Sequence, residues 1–228
     1  MNIRTVICLS LISIGFALNA QADDVQQMMA AANKFFQAKD YESALTAYQE
    51  VVAKYPRSDV ADDALLMVGI NYDWLAKEKQ QVDYLDKEKN AFEKLLANYS
   101  KSPRIADAYL YLGQVYSGDV GVIPKSVDYN KAIQLYEKAI ITANQDNQDW
   151  IKAQATGRMG QCYDRMGKLK ARAAYQEVID KYPNTPWANE ARKLLKQLAS
   201  TFRPKTPRPE DPSAPNPQRI ITARCAPR

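Results

Sequence analysis

The sequence predicts an all-α protein: an α-solenoid of about four stacked helix pairs, closed by one C-terminal capping helix. Three observations carry that expectation. Matching strings begin at Tyr48, Phe92, Tyr136 and Tyr175 (YQEVVAKYP, FEKLLANYS, YEKAIITAN and YQEVIDKYP), spaced by 44, 44 and 39 residues. Gly69, Gly113 and Gly160 each precede a tyrosine by three positions, at Tyr72, Tyr116 and Tyr163, while Asn33 and Phe36 hold those places in the first unit. Within every unit the apolar residues keep helical spacing, and self-similarity at such a period marks an array whose units bury their faces against neighbours.

The elements follow in order. Residues 1–22 stand outside the repeats. Arg4 precedes an apolar run of 13 residues, Val6 to Leu18, and Ala20-Gln21-Ala22 puts small residues at both specificity positions of a signal-peptidase site. This is the layout of a secretory signal peptide cut after Ala22, and the run is shorter than the ~20 residues of a spanning helix. The expected location is periplasmic or secreted, with no stable membrane insertion once the signal is removed. The repeat domain then occupies residues 23–200. Val25 to Ala38 reads as its first helix, with Met28, Met29, Ala32, Phe35 and Phe36 on one side. Asp40 caps a second helix, Tyr41 to Tyr55, which Pro56 stops. Ser58-Asp59 is expected to cap the third, Val60 to about Lys79, and Ser102-Pro103 and Thr185-Pro186 repeat that pattern of a hydroxyl before a first-turn residue. Gly167 marks the tight turn of the fourth unit, and Pro186 to Ser200 forms the capping helix. From 201 to 228 the composition changes: seven of the last 26 residues are proline, and Ile220-Ile221 is the one aliphatic pair. That segment reads as a basic, disordered tail, because it has little apolar surface to offset the entropy of ordering.

A glycine inside a helix is less stable than alanine by about 0.5–1 kcal/mol. Three at one phase imply that a neighbouring helix comes too close for a side chain. The tyrosines one turn on are expected to bury their rings on the same face as core residues.

Charge and chemistry narrow the function. Residues 23–202 carry 24 basic and 24 acidic side chains, whereas 203–228 carry six and two. A neutral body has no electrostatic footprint for nucleic acid. There is no histidine, which removes His-based triads and His metal sites, and no phosphate-binding glycine loop. Beyond the leader, Cys162 and Cys225 make no disulfide framework, and Cys162 reads as a small buried apolar residue. No catalytic, cofactor-binding or metal-ligating residue is expected, and the protein reads as non-enzymatic.

These features resemble the tetratricopeptide repeat. In that family a helix pair carries Gly and then Tyr three residues on, Ala and an aromatic in the second helix, and a closing Pro. Here the Ala/aromatic pair recurs as Ala44–Tyr48, Ala132–Tyr136 and Ala171–Tyr175, with Glu88 in the alanine's place before Phe92, and Pro56 and Pro183 close two units. The likeness spans about residues 25–200 and implies a right-handed superhelix with a concave groove lined by the first helix of each pair. The spacings exceed the family's ~34 residues, and the excess falls at Lys77–Leu85 and Ser117–Asp128. In the third unit Leu112-Gly113, Tyr116, Gly118, Gly121-Val122, Asp128 and Lys131-Ala132 resemble a Sel1-type repeat. Val120, Val122 and Ile123 there must pack on a neighbour or form an exposed apolar patch.

The resemblance also implies where a protein or peptide partner would lie: three before, one after and four after each glycine. Those positions are Ala30, Lys34 and Gln37; Leu66, Ile70 and Asp73; Leu110, Gln114 and Ser117; and Gly157, Gln161 and Asp164. They offer no basic clamp for a terminal carboxylate, and the chain is expected to be a monomer. The strings YQEVVAKYPRS and YQEVIDKYPNTPWANEARKLL look most like the last repeats of the periplasmic TolA-binding family of the Tol–Pal system, which coordinates cell-wall synthesis with outer-membrane constriction. That likeness implies a scaffold or adaptor of the cell envelope. Two further readings stay open: a factor like the tetratricopeptide lipoprotein of outer-membrane β-barrel assembly, and an accessory module of a cell-wall-processing enzyme.

Overall fold

The computed structural model describes residues 22–122, 126–143, 148–167 and 170–201. The leader up to residue 21, Ile123, and the tail from residue 202, with Cys225, lie outside the described residues. Among the described residues there are nine α-helices and no strand. They are α1 (22–37), α2 (Tyr41–Lys54), α3 (Ala61–Lys79), α4 (Asp83–Asn98), α5 (Ile105–Ser117), α6 (Tyr129–Thr142), α7 (Asp149–Arg165), α8 (Lys170–Lys181) and α9 (Pro186–Thr201). From α2 onward each helix packs on the next, α5 also meets α7, and α7 meets α9. The odd-numbered helices thus share one side of the stack, the even-numbered helices the other, and α9 closes the end.

The glycine expectation is met, and the close neighbour is specific. A Cβ at Gly69 would lie 2.4 Å from the Phe92 ring, one at Gly113 2.4 Å from Tyr136, and one at Gly160 2.5 Å from Tyr175. Each of these three glycines therefore seats the aromatic ring of the even helix in its own pair. In the first pair Asn33 stands in place of the glycine, and the Tyr48 hydroxyl donates to Asn33 Oδ1 at 2.5 Å. All four rings are fully buried. The tyrosines one turn on differ from expectation: Tyr72, Tyr116 and Tyr163 are only half-buried. Their outer faces are instead covered by lysines of even helices, Lys87, Lys89 and Lys170, at 6.0, 5.4 and 5.8 Å from the ring centres.

The turns between pairs repeat one design. The N–H groups of Ser58, Ser102 and Thr185 donate to the carbonyls of Tyr55, Tyr99 and Tyr182 at 3.1, 2.9 and 3.1 Å. The hydroxyls behave differently. Thr185 Oγ1 accepts from the Ala188 N–H at 3.4 Å and Ser102 Oγ from the Arg104 N–H at 2.9 Å. Ser58 Oγ instead donates to the Tyr55 carbonyl at 2.9 Å, and α3 starts behind Val60 with no side-chain cap. The expected Ser58-Asp59 cap is therefore not formed. True caps are made by Asp40 on α2 and Asp128 on α6, whose carboxylates accept from the N–H groups of Ser43 and Lys131 at 3.1 and 2.9 Å. We expect Asp128→Ala to cost about 1 kcal/mol in urea unfolding and Ser58→Ala a few tenths. Equal losses would refute this division of roles.

The long spacings have two causes. At Lys77–Leu85 there is little extra loop: α3 runs for 19 residues and α4 for 16, joined across a short turn with Gln80 at φ 53°. At 118–122 there is a true loop, and it folds back on the second pair. Val120 and Val122 are buried against Ala76 and Leu85, with Tyr84 and Val115 beside them. Gly121 is required there twice over: its φ is +70°, and a Cβ would lie 2.7 Å from Lys77 Cε.

Candidate partner-binding face

The odd helices carry the positions expected to meet a partner, but only some of them are open. On α1, Ala30, Lys34 and Gln37 are exposed. On α3, Ile70 and Asp73 are half-buried, while Leu66 belongs to the core. On α5, Gln114 is half-buried, but Leu110 is fully enclosed and Ser117 is 3% exposed. On α7, Gln161 is half-buried and Asp164 exposed, whereas Gly157 lies under the Trp187 ring of α9, whose Cε3 is 2.6 Å from where a Cβ would be. The reason is packing both within and between pairs. Leu110 packs with Ile151 and Ala155 of α7, and Ser117 Oγ shares a 3.1 Å hydrogen bond with the Tyr136 hydroxyl. Leu66, Leu110, Ser117 and Gly157 therefore hold the stack together rather than line an open surface.

What the fold does bring together is a charged cluster drawn from four helices and one loop. Asp73 Oδ2 accepts from Lys77 Nζ at 2.6 Å along α3. Arg158 of α7 pairs with Asp119 of the 118–122 loop, and its guanidinium lies 5.2 Å from the centre of the Trp187 ring. Tyr111 of α5 stacks on Phe92 at 5.3 Å and 10°. Its hydroxyl is pushed up to about 12 by burial first and then by the fields of Asp107, Asp73 and Glu88. Asp107 is 6% exposed, and burial pushes its carboxyl up to about 6 against the pull of Arg104. Glu88 is 1% exposed; burial, then the charge of Asp73, raise its carboxyl well above the usual range. Burial also raises Asp73, against Lys77, and lowers Arg158 to about 10.

Among the described residues, the buried atoms Asp73 Oδ1, Gln114 Nε2, Arg158 Nε and Glu88 Oε2 of this cluster have no hydrogen-bond partner. A buried polar atom left unpaired costs about 1–3 kcal/mol. Gln114 and Arg158 offer donors and Asp73 an acceptor, on three successive odd helices, which is the complement of a peptide main chain.

Sequence reasoning placed Asp73 and Gln114 here and missed Arg158, Tyr111, Asp107, Lys77 and Glu88. Two signals could have found some of them. Glu88 breaks the alanine pattern of its register, and Arg158 stands two before its glycine, where the preceding units have Met67 and Tyr111. The cluster shows no nucleophile held against a base. Cys162 is 2% exposed, and burial pushes its thiol up to about 11, so it is packing. Among the described residues no group of His, Cys, Asp and Glu is placed to hold a metal ion, and no helix is long and apolar enough to cross a membrane.

The fold and this face define a helical-repeat scaffold. The sequence model of the tetratricopeptide-repeat family matches residues 12–58 and 158–185, the second stretch running from the end of α7 through α8. These two stretches are thus similar to the tetratricopeptide repeat, whose fold is typically a non-catalytic interaction scaffold and whose solenoids bind protein partners. A search of the curated proteins gives no match. Solved structures with this fold include MamA, 22% identical over 74% of this chain and 84% of that one, with a TM-score of 0.51. Another is the pilF protein of Pseudomonas aeruginosa, 17% identical over 79% of this chain and 72% of that one, with a TM-score of 0.55. A third is a tetratricopeptide repeat protein of Parabacteroides merdae, 14% identical over 79% of this chain and 61% of that one, with a TM-score of 0.56.

Proposed function

We propose that this protein is a monomeric, non-enzymatic adaptor of the cell envelope that holds an extended segment of a protein partner on its odd-helix face. One observation carries the reading: the unpaired row of Asp73 Oδ1, Gln114 Nε2 and Arg158 Nε, deep on α3, α5 and α7. A main chain laid across it would exchange these orphans for hydrogen bonds, and the pairs Lys77–Asp73 and Arg158–Asp119 fix the side chains beforehand. The periplasmic or secreted location rests on the Val6–Leu18 run and Ala20-Gln21-Ala22. The Tol–Pal-type role rests on the likeness of the YQEVVAKYPRS and YQEVIDKYPNTPWANEARKLL strings. The Sel1-type reading of the third unit rests on the glycines of the 118–122 loop, which brings Asp119 to Arg158.

Photo-crosslinking in cells from probes at Gln114 and Asp164, with identification of the captured protein, tests the reading. Arg158→Ala should weaken that captured partner's binding about tenfold with the helical circular dichroism unchanged. Capture from even-helix probes alone would sink it. Mass spectrometry of the mature N-terminus should find an unmodified Asp23; a lipid there would move the protein to the β-barrel-assembly lipoprotein reading.

A further inference from the structure

The even-helix side holds a feature that the odd-helix reading leaves unused. Between α2 and α4, floored by α3, lies a cleft of ≈ 340 Å³. Its floor is apolar, formed chiefly by Val52, Leu65 and Val68. Its α4 wall is Lys87, Asn90, Lys94 and Asn98, at i, i+3, i+7 and i+11, which places them on one stripe of the helix. No carboxylate lines the cleft. Of the acids of α4, Asp86 and Glu93 act on Lys89 on the adjoining stripe, Glu88 is buried in the charged cluster, and Asp83, one turn before Lys87, does not line the cleft.

The lysines of this wall are also unspent. On α2 and α8, Lys54 and Lys181 are neutralised within their own helix, by Glu50 and Glu177. Lys87 and Lys94 form no ion pair among the described residues. Lys87 rests over Tyr84 and Tyr72, with its ammonium 4.9 and 6.0 Å from the ring centres, and Gln49 Nε2 holds the Tyr72 hydroxyl at 2.8 Å from the opposite wall. Two cations thus stand at the rim of an apolar floor, Lys87 positioned by the two rings.

We propose that this cleft is a second docking site, for an acidic amphipathic segment of a protein partner. Apolar side chains of that segment enter over Val52, Leu65 and Val68, and its carboxylates meet Lys87 and Lys94. Charge selects this occupant. The chain's own tail from Arg203 carries six basic and two acidic residues, the same sign as the rim. A membrane surface is too flat to reach a recessed floor, whereas one face of a helix presents side chains at the spacing of the wall.

The test uses the full chain and a fluorescein-labelled peptide of leucine and glutamate at helical spacing, read by anisotropy. Binding should weaken about tenfold or more in Lys87→Glu with Lys94→Glu. It should survive the equal charge change Arg172→Glu with Lys196→Glu, placed on exposed sites of α8 and α9. The doubly reversed chain should regain binding when lysines replace the peptide's glutamates. Each variant is checked by circular dichroism, and the substituted side chains are exposed. The proposal is overturned if the peptide fails to bind, or if both charge-reversed chains bind it equally. It is also overturned if the wild type binds phosphatidylglycerol vesicles through these lysines but not the peptide, which would make the cleft a membrane contact.

Discussion

Phe92→Ala is expected to lower the unfolding free energy by about 3–5 kcal/mol, the range for removing a fully buried aromatic ring. Gly69→Ala should also destabilise, by about 1–3 kcal/mol, although alanine is the better helix former by about 1 kcal/mol. Its new methyl carbon would lie 2.4 Å from that enclosed ring, which has no open space to move into. The informative protein is the double variant. With the ring gone, Gly69→Ala keeps its helical advantage and meets no obstacle, so in the Phe92→Ala background it should be neutral or stabilising by up to about 1 kcal/mol. Urea unfolding of the four proteins at one temperature reads the cycle. Simple additivity would mean that the glycine is not there for the ring.

The second large effect is on pH. Glu88 and Asp107 both have carboxyls raised in the folded state, so the folded chain binds their protons more tightly than the unfolded chain does. Their contribution to stability is complete below the unfolded values, near 4, and is lost as pH rises through the folded ones. For Asp107 the window runs from 3.8 to about 6, worth on the order of 3 kcal/mol. Glu88 extends the loss in the same direction. Glu88→Gln replaces an ionisable group by one of the same shape, and at pH 8 it should gain about 1–3 kcal/mol over the wild type. At pH 4, where the wild-type carboxyl is protonated, the gain should nearly vanish. Asp107→Asn should flatten the profile between pH 4 and 6. A Glu88→Gln difference that is the same at both pH values would contradict the assignment.

The helix pairs were legible because local rules and packing agree. Gly69, Gly113 and Gly160 are tolerable in helices only if something outside the helix needs the space, and their common phase showed this from sequence. The identity of that something required the fold, since the ring comes from the partner helix more than 20 residues on for two of the three: Phe92 for Gly69 and Tyr136 for Gly113. The binding face was less legible. Position relative to the glycine selects Lys34, Gln37 and Asp164, which are exposed, but treats Leu110 and Gly157 as equivalent to Ala30. Whether the position three before the glycine is open depends on what the following pair places there, such as Ile151 or Trp187, and helical periodicity carries no information about it. The charged cluster is tertiary throughout: Asp73, Tyr111 and Arg158 lie on different helices, and only Glu88 in the alanine register and Arg158 two before its glycine betray it.

The 118–122 loop has a consequence for how the array comes apart. In a simple stack each unit senses only the next, so ends can fray while the middle holds. Here Val120 and Val122 rest on the second pair, Asp119 grips Arg158 of the fourth, and Arg165 Nη1 donates to the Ser117 carbonyl at 3.3 Å. The third unit therefore grips both of its neighbours through one short segment, so that two adjoining joints of the array share the same loop. Units two and three together with α7 should melt as a single block, with hydrogen exchange uniformly slow across α3–α7, and α8–α9 should be released first.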